Sequence, residues 1–342
     1  MALWLVRAGG HGEYESKYLE ENRIYLTWDN LNNNLSKIDN WDELKTLLFQ
    51  SYPEQSKGAI SNFSGQIWSF SKYFSIGDWV VLPSKQKSAL HFCEILSDYT
   101  YDGKAENPFF HYRKVKWIAT DIPRSNFDQD LLYSFGAFMT VCQIKRNDAE
   151  KRIKAMANNG WKTVPHYPSN SDNLEIDVEG SISDIEQITK DQIAKFIIAK
   201  FKGHGMARLV DGVLKAKGYT TFVSPEGPDK GIDILAGAGS LGFDHPRICV
   251  QVKSSETPID RPTLDQLIGT MQNVQADQGL LVSWGGFKNT VTKEEAQQFF
   301  KVRLWDQDDL IDNLLENYDD LDQDIKAELP LKQIWSISSM DS

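Results

Sequence analysis

Three side chains between residues 227 and 253 have the types and spacing for metal-assisted hydrolysis of a phosphodiester. Asp233 opens one apolar run, and Gln251 and Lys253 lie two residues apart on a second, ICVQVK. Side chains alternate along a strand, so Gln251 and Lys253 share a face while Val250 and Val252 point into a core. If the two runs are neighbouring strands, Asp233 converges on the same patch. Such hydrolysis uses a hard cation that polarises the phosphoryl oxygen and activates water, and Mg²⁺ takes a few oxygen ligands while keeping several waters. Asp233 supplies a charged oxygen, Gln251 a neutral one, and Lys253 a cation for the developing phosphorane charge or for orienting the attacking water.

A bland alternative exists for each residue. A Lys two positions after a Gln is ordinarily a solvated edge face. The GxD preceding the first run, the glycine-rich connection and the helix–strand pattern that follows favour the chemical reading. Asp229, in GPDKG, reads as a turn residue that could touch a second metal, and Glu226 reads in the same way.

The elements that must position these groups follow in order. A helix over 205–217, ended by Gly218, precedes YTTFV, the Asp233 strand and the Gln251/Lys253 strand. A helix at PTLDQLIGTMQNVQ leads to GLLVSW, and another at TKEEAQQFF leads to VRLWD, predicting a mixed sheet flanked by helices. Gln266, on the helix after the Lys253 strand, reads as a solvated position that could support the site. Upstream, Ile182–Phe201 carries apolar residues at helical spacing. From Asp306 the chain is helical and acidic, with Trp335 expected to dock the tail.

The spacing Asp-x17-Gln-x-Lys, preceded by GYTTFVSPEGPDKGID and followed by a helix and GLLVSWGGF, resembles the Mrr-type catalytic domain of the PD-(D/E)xK nucleases over about residues 200–315. The resemblance implies Asp233, Gln251 and Lys253 as the catalytic set, Asp233 and Gln251 as metal ligands, and Mg²⁺ as cofactor, with Mn²⁺ as a substitute. The family often carries a Glu on the preceding helix, and here that slot falls on Ala207. His204 lies one helical turn before it and Asp211 one turn after, so either could substitute, His204 being the preferred surrogate.

Residues 1–165 are rich in short β-branched and aromatic runs (LWLVRA, RIYLTW, DWVVLP, HFCEIL, RKVKWIA) interrupted by helical patterns, which predicts a small β-barrel with helices outside it. LWLVRAG, SIGDWVVLP, EILSDYTYD and HYRKVKWIATDIPRSNF, in that order, resemble the PUA/EVE-like readers. That resemblance implies a pocket for one flipped nucleotide, with Trp4, Trp28, Trp68, Trp79, Tyr99 and Tyr101 as candidate stacking residues and Asp98 as a hydrogen-bonding group. Strand aromatics are more often core than cage. His111 and Arg113 share one strand face, with Lys114 and Lys116 on the other, and are candidate phosphate contacts. Asn147 or Asp148 caps the helix AEKRIKAMANNG, which Gly160 ends.

Composition fits a two-domain α+β or α/β protein: a reader over 1–165, an acidic linker and connecting helix over 166–200, and a nuclease domain with an acidic helical tail over 201–342. The net charge of −11 argues against a nucleic-acid partner until it is mapped. Residues 166–199 hold 7 acids against 2 bases and 305–342 hold 11 against 2, leaving 1–165 and 200–304 near neutral. Three scattered cysteines predict buried thiols and no zinc site. With no 18-residue apolar stretch and no signal-peptide pattern, a cytoplasmic protein without membrane contact is expected. No Walker A motif occurs, so no nucleoside triphosphate partner is expected. The reading is a modification-dependent endonuclease of double-stranded DNA serving defence, working as a homodimer or larger assembly. The alternatives are a binding module with a nuclease fold, or a nuclease indifferent to base modification.

Overall fold

The protein, seen in a computed structural model, is described over residues 1–137, 139–162, 185–225 and 231–334. Glu226, Asp229, Trp335 and the linker residues 166–184 lie outside the described residues. The chain divides into two compact units, the first ending at Ile188 and the second beginning at Thr189.

The first unit holds strands β1 (Leu3–Val6), β2 (Arg23–Leu26), β3 (Trp79–Pro83), β4 (Ala89–Ile95), β5 (Thr100–Tyr101), β6 (His111–Pro123) and β7 (Val141–Gln143). They form one seven-stranded sheet in the order β2-β6-β4-β3-β1-β7, with β5 beside β6. Only β1 and β3 run parallel within it; the other pairings are antiparallel. The 13-residue β6 joins the two parts, pairing with β2 and β5 through its first half and with β4 through its second.

Alternation divides the side chains of this sheet between two cores. Trp4, Val6, Val80, Leu82, Cys93 and Ile95 pack with α2 (Trp41–Ser51) and α3 (Lys57–Trp68), while Leu3, Leu5, Val81, Leu90 and Phe92 pack with α4 (Gln129–Phe135) and α5 (Ala149–Asn158). Helix α1 (Glu15–Glu21) leads into β2. At α5, Asp148 occupies the N-cap position with φ 48° and makes no side-chain cap, and the Asn147 amide instead donates to Asp130 O and Ser134 Oγ. The expected cap is therefore not made by either residue, because both adopt left-handed backbone that turns their side chains elsewhere.

The second unit places β8 (Thr220–Val223), β9 (Ile234–Ala238), β10 (Asp244–Lys253), β11 (Gln278–Ser283) and β12 (Val302–Trp305) in the order β12-β11-β10-β9-β8. β10 is the central strand, antiparallel to β9 and parallel to β11. One face is covered by α6 (Ile185–Lys200), α7 (His204–Ala216), α11 (Gln307–Glu316) and α12 (Gln323–Glu328), whose Ile197, Val210, Val213, Leu310 and Leu314 meet Val250, Val252 and Leu280. The other face is covered by α8 (Arg261–Asn273), whose Leu264, Leu267 and Met271 meet Cys249 and Leu281. Two short helices, α9 (Asn289–Thr292) and α10 (Glu295–Gln298), connect β11 to β12. This is the mixed, helix-flanked sheet expected for the second half.

Beyond Lys253 the chain crosses the end of β11 at a notch made by Gly285. A Cβ there would lie 2.5 Å from the Glu256 carbonyl carbon and 2.7 Å from its oxygen, so only glycine lets the two backbones pass. Gly285→Ala is expected to cost about 2 kcal/mol through this clash, measured by urea unfolding. An unchanged midpoint would show that the crossing is slack.

Candidate catalytic site

β9 and β10 meet in a register that pairs Ile234 with Val250, and Asp233 N–H donates to Val250 O at 3.0 Å. Continuing that register by one residue puts Asp233 opposite Gln251. The Asp233 Oδ2 oxygen accepts from the Val252 N–H at 2.7 Å, which fixes the carboxylate against β10. Burial, and then the Asp233 charge, push the Cys249 thiol up to about 11.

Gln251 is completely buried, and among the described residues neither its Oε1 nor its Nε2 has a hydrogen-bond partner. Leaving a buried amide unsatisfied costs about 1–3 kcal/mol, so each such group calls for a reason. Lys253, two residues on, is half-buried at the end of the strand, paired in register with Ser283 of β11. A solvated edge is thereby excluded: these residues sit on the central strand between two cores.

Two contributions are less visible in the sequence. Gly231 has φ +84°, and a Cβ on it would lie 2.9 Å from Gln266 Nε2 and 3.3 Å from Gln251 Nε2. Gln266, read as a solvated position, thus leans its amide over the backbone beside Gln251 while most of the residue stays exposed. The Gly203 N–H donates to Ser254 Oγ at 3.0 Å, which ties the start of α7 to the end of β10. His204, the first residue of α7, is therefore held exposed at the Lys253 end of the strand. Ala207 is buried in the apolar core. Asp211 is buried deeper along α7, where Lys215 Nζ meets its Oδ2 at 2.8 Å. Seven residues of helix, roughly 10 Å, separate it from His204.

Among the described residues, no group of three or more His, Cys, Asp and Glu side chains is gathered to hold a metal, and no helix is long and apolar enough to cross a membrane.

In the first unit Trp4, Trp28, Trp68 and Tyr99 belong to one cluster, while Trp79 packs on the other face of the sheet. Trp4 and Trp79 belong to opposite faces of the sheet, since β1 and β3 pair Leu3 with Trp79 and Trp4 with Val80. The Trp4 indole is buried and donates to Asp78 Oδ2 at 3.0 Å. Trp28 packs edge-on against Phe63, and Trp68 against Trp41. Tyr99 stacks on His111, with its hydroxyl 2.7 Å from Nδ1, and Tyr101 bonds Asn32 Oδ1 at 2.6 Å. Asp98 lies exposed on the turn between β4 and β5.

His111 and Arg113 are likewise not placed on a phosphate-facing surface, because both are buried. His111 Nε2 bonds Leu31 O at 2.6 Å. Arg113 donates to Phe70 O and Ser71 O in the helical turn Ser69–Tyr73 after α3, and to Ser97 O in the loop after β4. The solvent-facing cations of this strand are Lys114 and Lys116.

Residues 198–314 match a family described as a restriction endonuclease, Mrr_cat, and residues 4–144 match a domain of unknown function, DUF8426. A search of curated proteins gave no significant match. Among solved structures, the DNA modification-dependent restriction endonuclease AspBHI aligns at 12% identity and a TM-score of 0.33, covering 74% of this chain and 67% of that one. MspJI restriction endonuclease in complex with a 27-mer oligonucleotide aligns at 12% identity and a TM-score of 0.31, covering 96% and 80%.

If Gly231 keeps space for the two glutamine amides, Gly231→Ala and Gln266→Ala are coupled. The double variant should lose less stability than the two singles summed, by about 0.5 kcal/mol or more, in thermal or urea unfolding; strict additivity would separate the residues. A second outcome concerns His111, whose pKa burial lowers to about 4. The fold holds the neutral ring, so this contribution is complete above the unfolded value near 6.5 and is lost as pH falls toward 4. Unfolding at pH 7 and pH 4.5 should show wild type losing up to about 3 kcal/mol more than His111→Gln. Parallel pH profiles would count against a neutral buried ring.

Proposed function

We propose that this chain, whose residues 198–314 form a Mrr-type restriction endonuclease catalytic domain, hydrolyses DNA phosphodiesters at Asp233, Gln251 and Lys253. The observation that carries the reading is the Gln251 amide: buried, without a partner on either atom, and opposite Asp233. An amide oxygen beside a fixed carboxylate fits a hard divalent cation. A carboxylate and an amide oxygen suit Mg²⁺, which takes a few protein oxygens and keeps several waters, and Mn²⁺ is the natural substitute.

In this reading Asp233 and Gln251 hold the cation, which when bound supplies a Lewis acid for the phosphoryl oxygen and a more acidic water. The Val252 N–H orients the Asp233 carboxylate. Lys253 offers its ammonium to the charge that builds on the phosphorane, where a fixed donor acts without reorganising. Gln266 and Gly231 keep the Gln251 amide in place. His204, brought to the Lys253 end of β10 by the Gly203–Ser254 bond, stands in for the family's helix carboxylate more readily than Asp211, which Lys215 already occupies.

The first unit is read as a PUA/EVE-like half-barrel that directs cutting toward a modified, flipped base in double-stranded DNA. Two copies acting together would cut both strands, and the biological role would be defence against foreign modified DNA in the cytoplasm. A second reading is favoured by the packing of Trp4, Tyr99 and His111: the catalytic domain cuts without regard to modification, and the first unit serves as a docking platform.

The test is cleavage of matched duplexes carrying cytosine, 5-methylcytosine, 5-hydroxymethylcytosine or N6-methyladenine, with Mg²⁺ or EDTA. Cutting confined to one modified duplex, abolished by EDTA and reduced about 100-fold or more in Lys253→Ala, is expected. His204→Ala should slow the reaction more than Asp211→Ala. Equal cutting of all four duplexes would favour the second reading. Binding without any cutting would leave a DNA-binding module with a nuclease fold.

A further inference from the structure

The second unit has an open pocket of about 230 Å³ at the other end of its sheet. Ile248 lines it, five residues before Lys253 on the same strand, so it lies roughly 16 Å from the proposed cleavage site. It also opens on the opposite face, since Ile248 packs with Val250 and Val252 while Gln251 does not. The volume is below the roughly 300–1,000 Å³ of drug-sized sites, and suits a single flat ring system.

The lining has two chemistries. Tyr219, Phe299, Phe300 and Trp305 supply aromatic surface, and Phe300 is 87% exposed, an unusual position for a large apolar ring. Phe299 meets Phe300 edge-on at 5.3 Å, and the Arg303 guanidinium lies 4.0 Å over the Phe299 ring. Lys217 and Lys301 complete a cationic rim. Both are exposed and, among the described residues, neither has an acidic partner. Among the described residues no Asp or Glu lines the pocket, although acids outnumber bases 48 to 37 in the chain.

We infer that this pocket binds an unpaired nucleotide of a DNA strand, its base stacked on the exposed Phe300 ring and edge-on to Phe299, and its phosphate met by Lys217, Lys301 and Arg303. Aromatic platforms inside cationic grooves hold single strands in this way, with little sequence preference. A second copy of the chain is the weaker occupant. A two-fold contact through the pocket would set these cations against their own counterparts, and a standard interface needs about 800 Å² per partner, far beyond one small concavity. The site rests on the reading of the chain as one that acts on DNA, and its test needs no cleavage.

The full-length Lys253→Ala protein in EDTA would be titrated by fluorescence anisotropy against a labelled single-stranded oligothymidylate and a blunt duplex. Phe300→Ala and Lys301→Glu, each added to that background, should weaken single-strand binding about fivefold or more, with duplex binding within about twofold. Phe300 is so exposed that the melting temperature should hold, and this would be checked. Single-strand affinity untouched by either change would overturn the site. So would a Phe300→Ala protein that loses self-association in sedimentation while keeping its strand affinity. Competition by thymidine monophosphate at concentrations matching the oligonucleotide would overturn a strand as the occupant. Because catalysis is absent from the assay, its failure would leave the cleavage result standing.

Discussion

The second unit depends on one strand being buried on both sides. β10 turns Val250 and Val252 toward one set of helices and Cys249 toward another, so the polar residue between the valines has no solvent to face. Gln251 at that position carries a desolvation cost that apolar residues there would not, and the cost is tolerable only if something meets the amide. Asp233 on the neighbouring strand, the glycine beside it and the Gln266 amide from the covering helix are arranged around that demand. A polar cluster set into a well-packed sheet is held in place by the packing.

The contrast between the halves shows what a linear sequence can reveal. Asp233, Gln251 and Lys253 were legible because alternation along one strand, plus one hairpin-like neighbour, is enough to bring them together. The helices and strands around them were legible because Met206, Val210 and Val213 on α7, and Leu264, Leu267 and Met271 on α8, repeat at helical spacing. In the first unit the aromatic residues were equally visible, but their meaning depended on which strands pair and in what register. Trp4 and Trp79 read alike in sequence; the parallel pairing of β1 with β3 sends them to opposite faces. His111 and Arg113 likewise looked like surface cations, and only the packing of β6 against the loops above it shows that their polar atoms are consumed by carbonyls. Gly231 and the Gly203–Ser254 bond carry no local signal, since each depends on chain segments far apart.

The acidic segments follow a similar logic. Asp306 starts α11 with a reciprocal cap, accepting from the Asp308 and Asp309 N–H groups while Asp309 accepts from its own N–H. Burial, and then the Asp309 charge, raise the Asp306 pKa to about 6. Part of what composition registers as an acidic tail is thus helix-starting machinery, and Glu316 and Asp324 lie exposed on α11 and α12, whose apolar sides complete the core.

The bond between Gly203 and Ser254 also bears on how the C-terminal end of β10 is held. A strand terminus followed by an exposed loop ordinarily frays, and a lysine there would sample many positions. Here the terminus is moored to the first turn of a helix whose Leu209, Val210 and Val213 are fully buried. The position of Lys253 is therefore coupled to the body of that helix as well as to the loop beside it, so buried side chains several turns away bear on how steadily its ammonium is held.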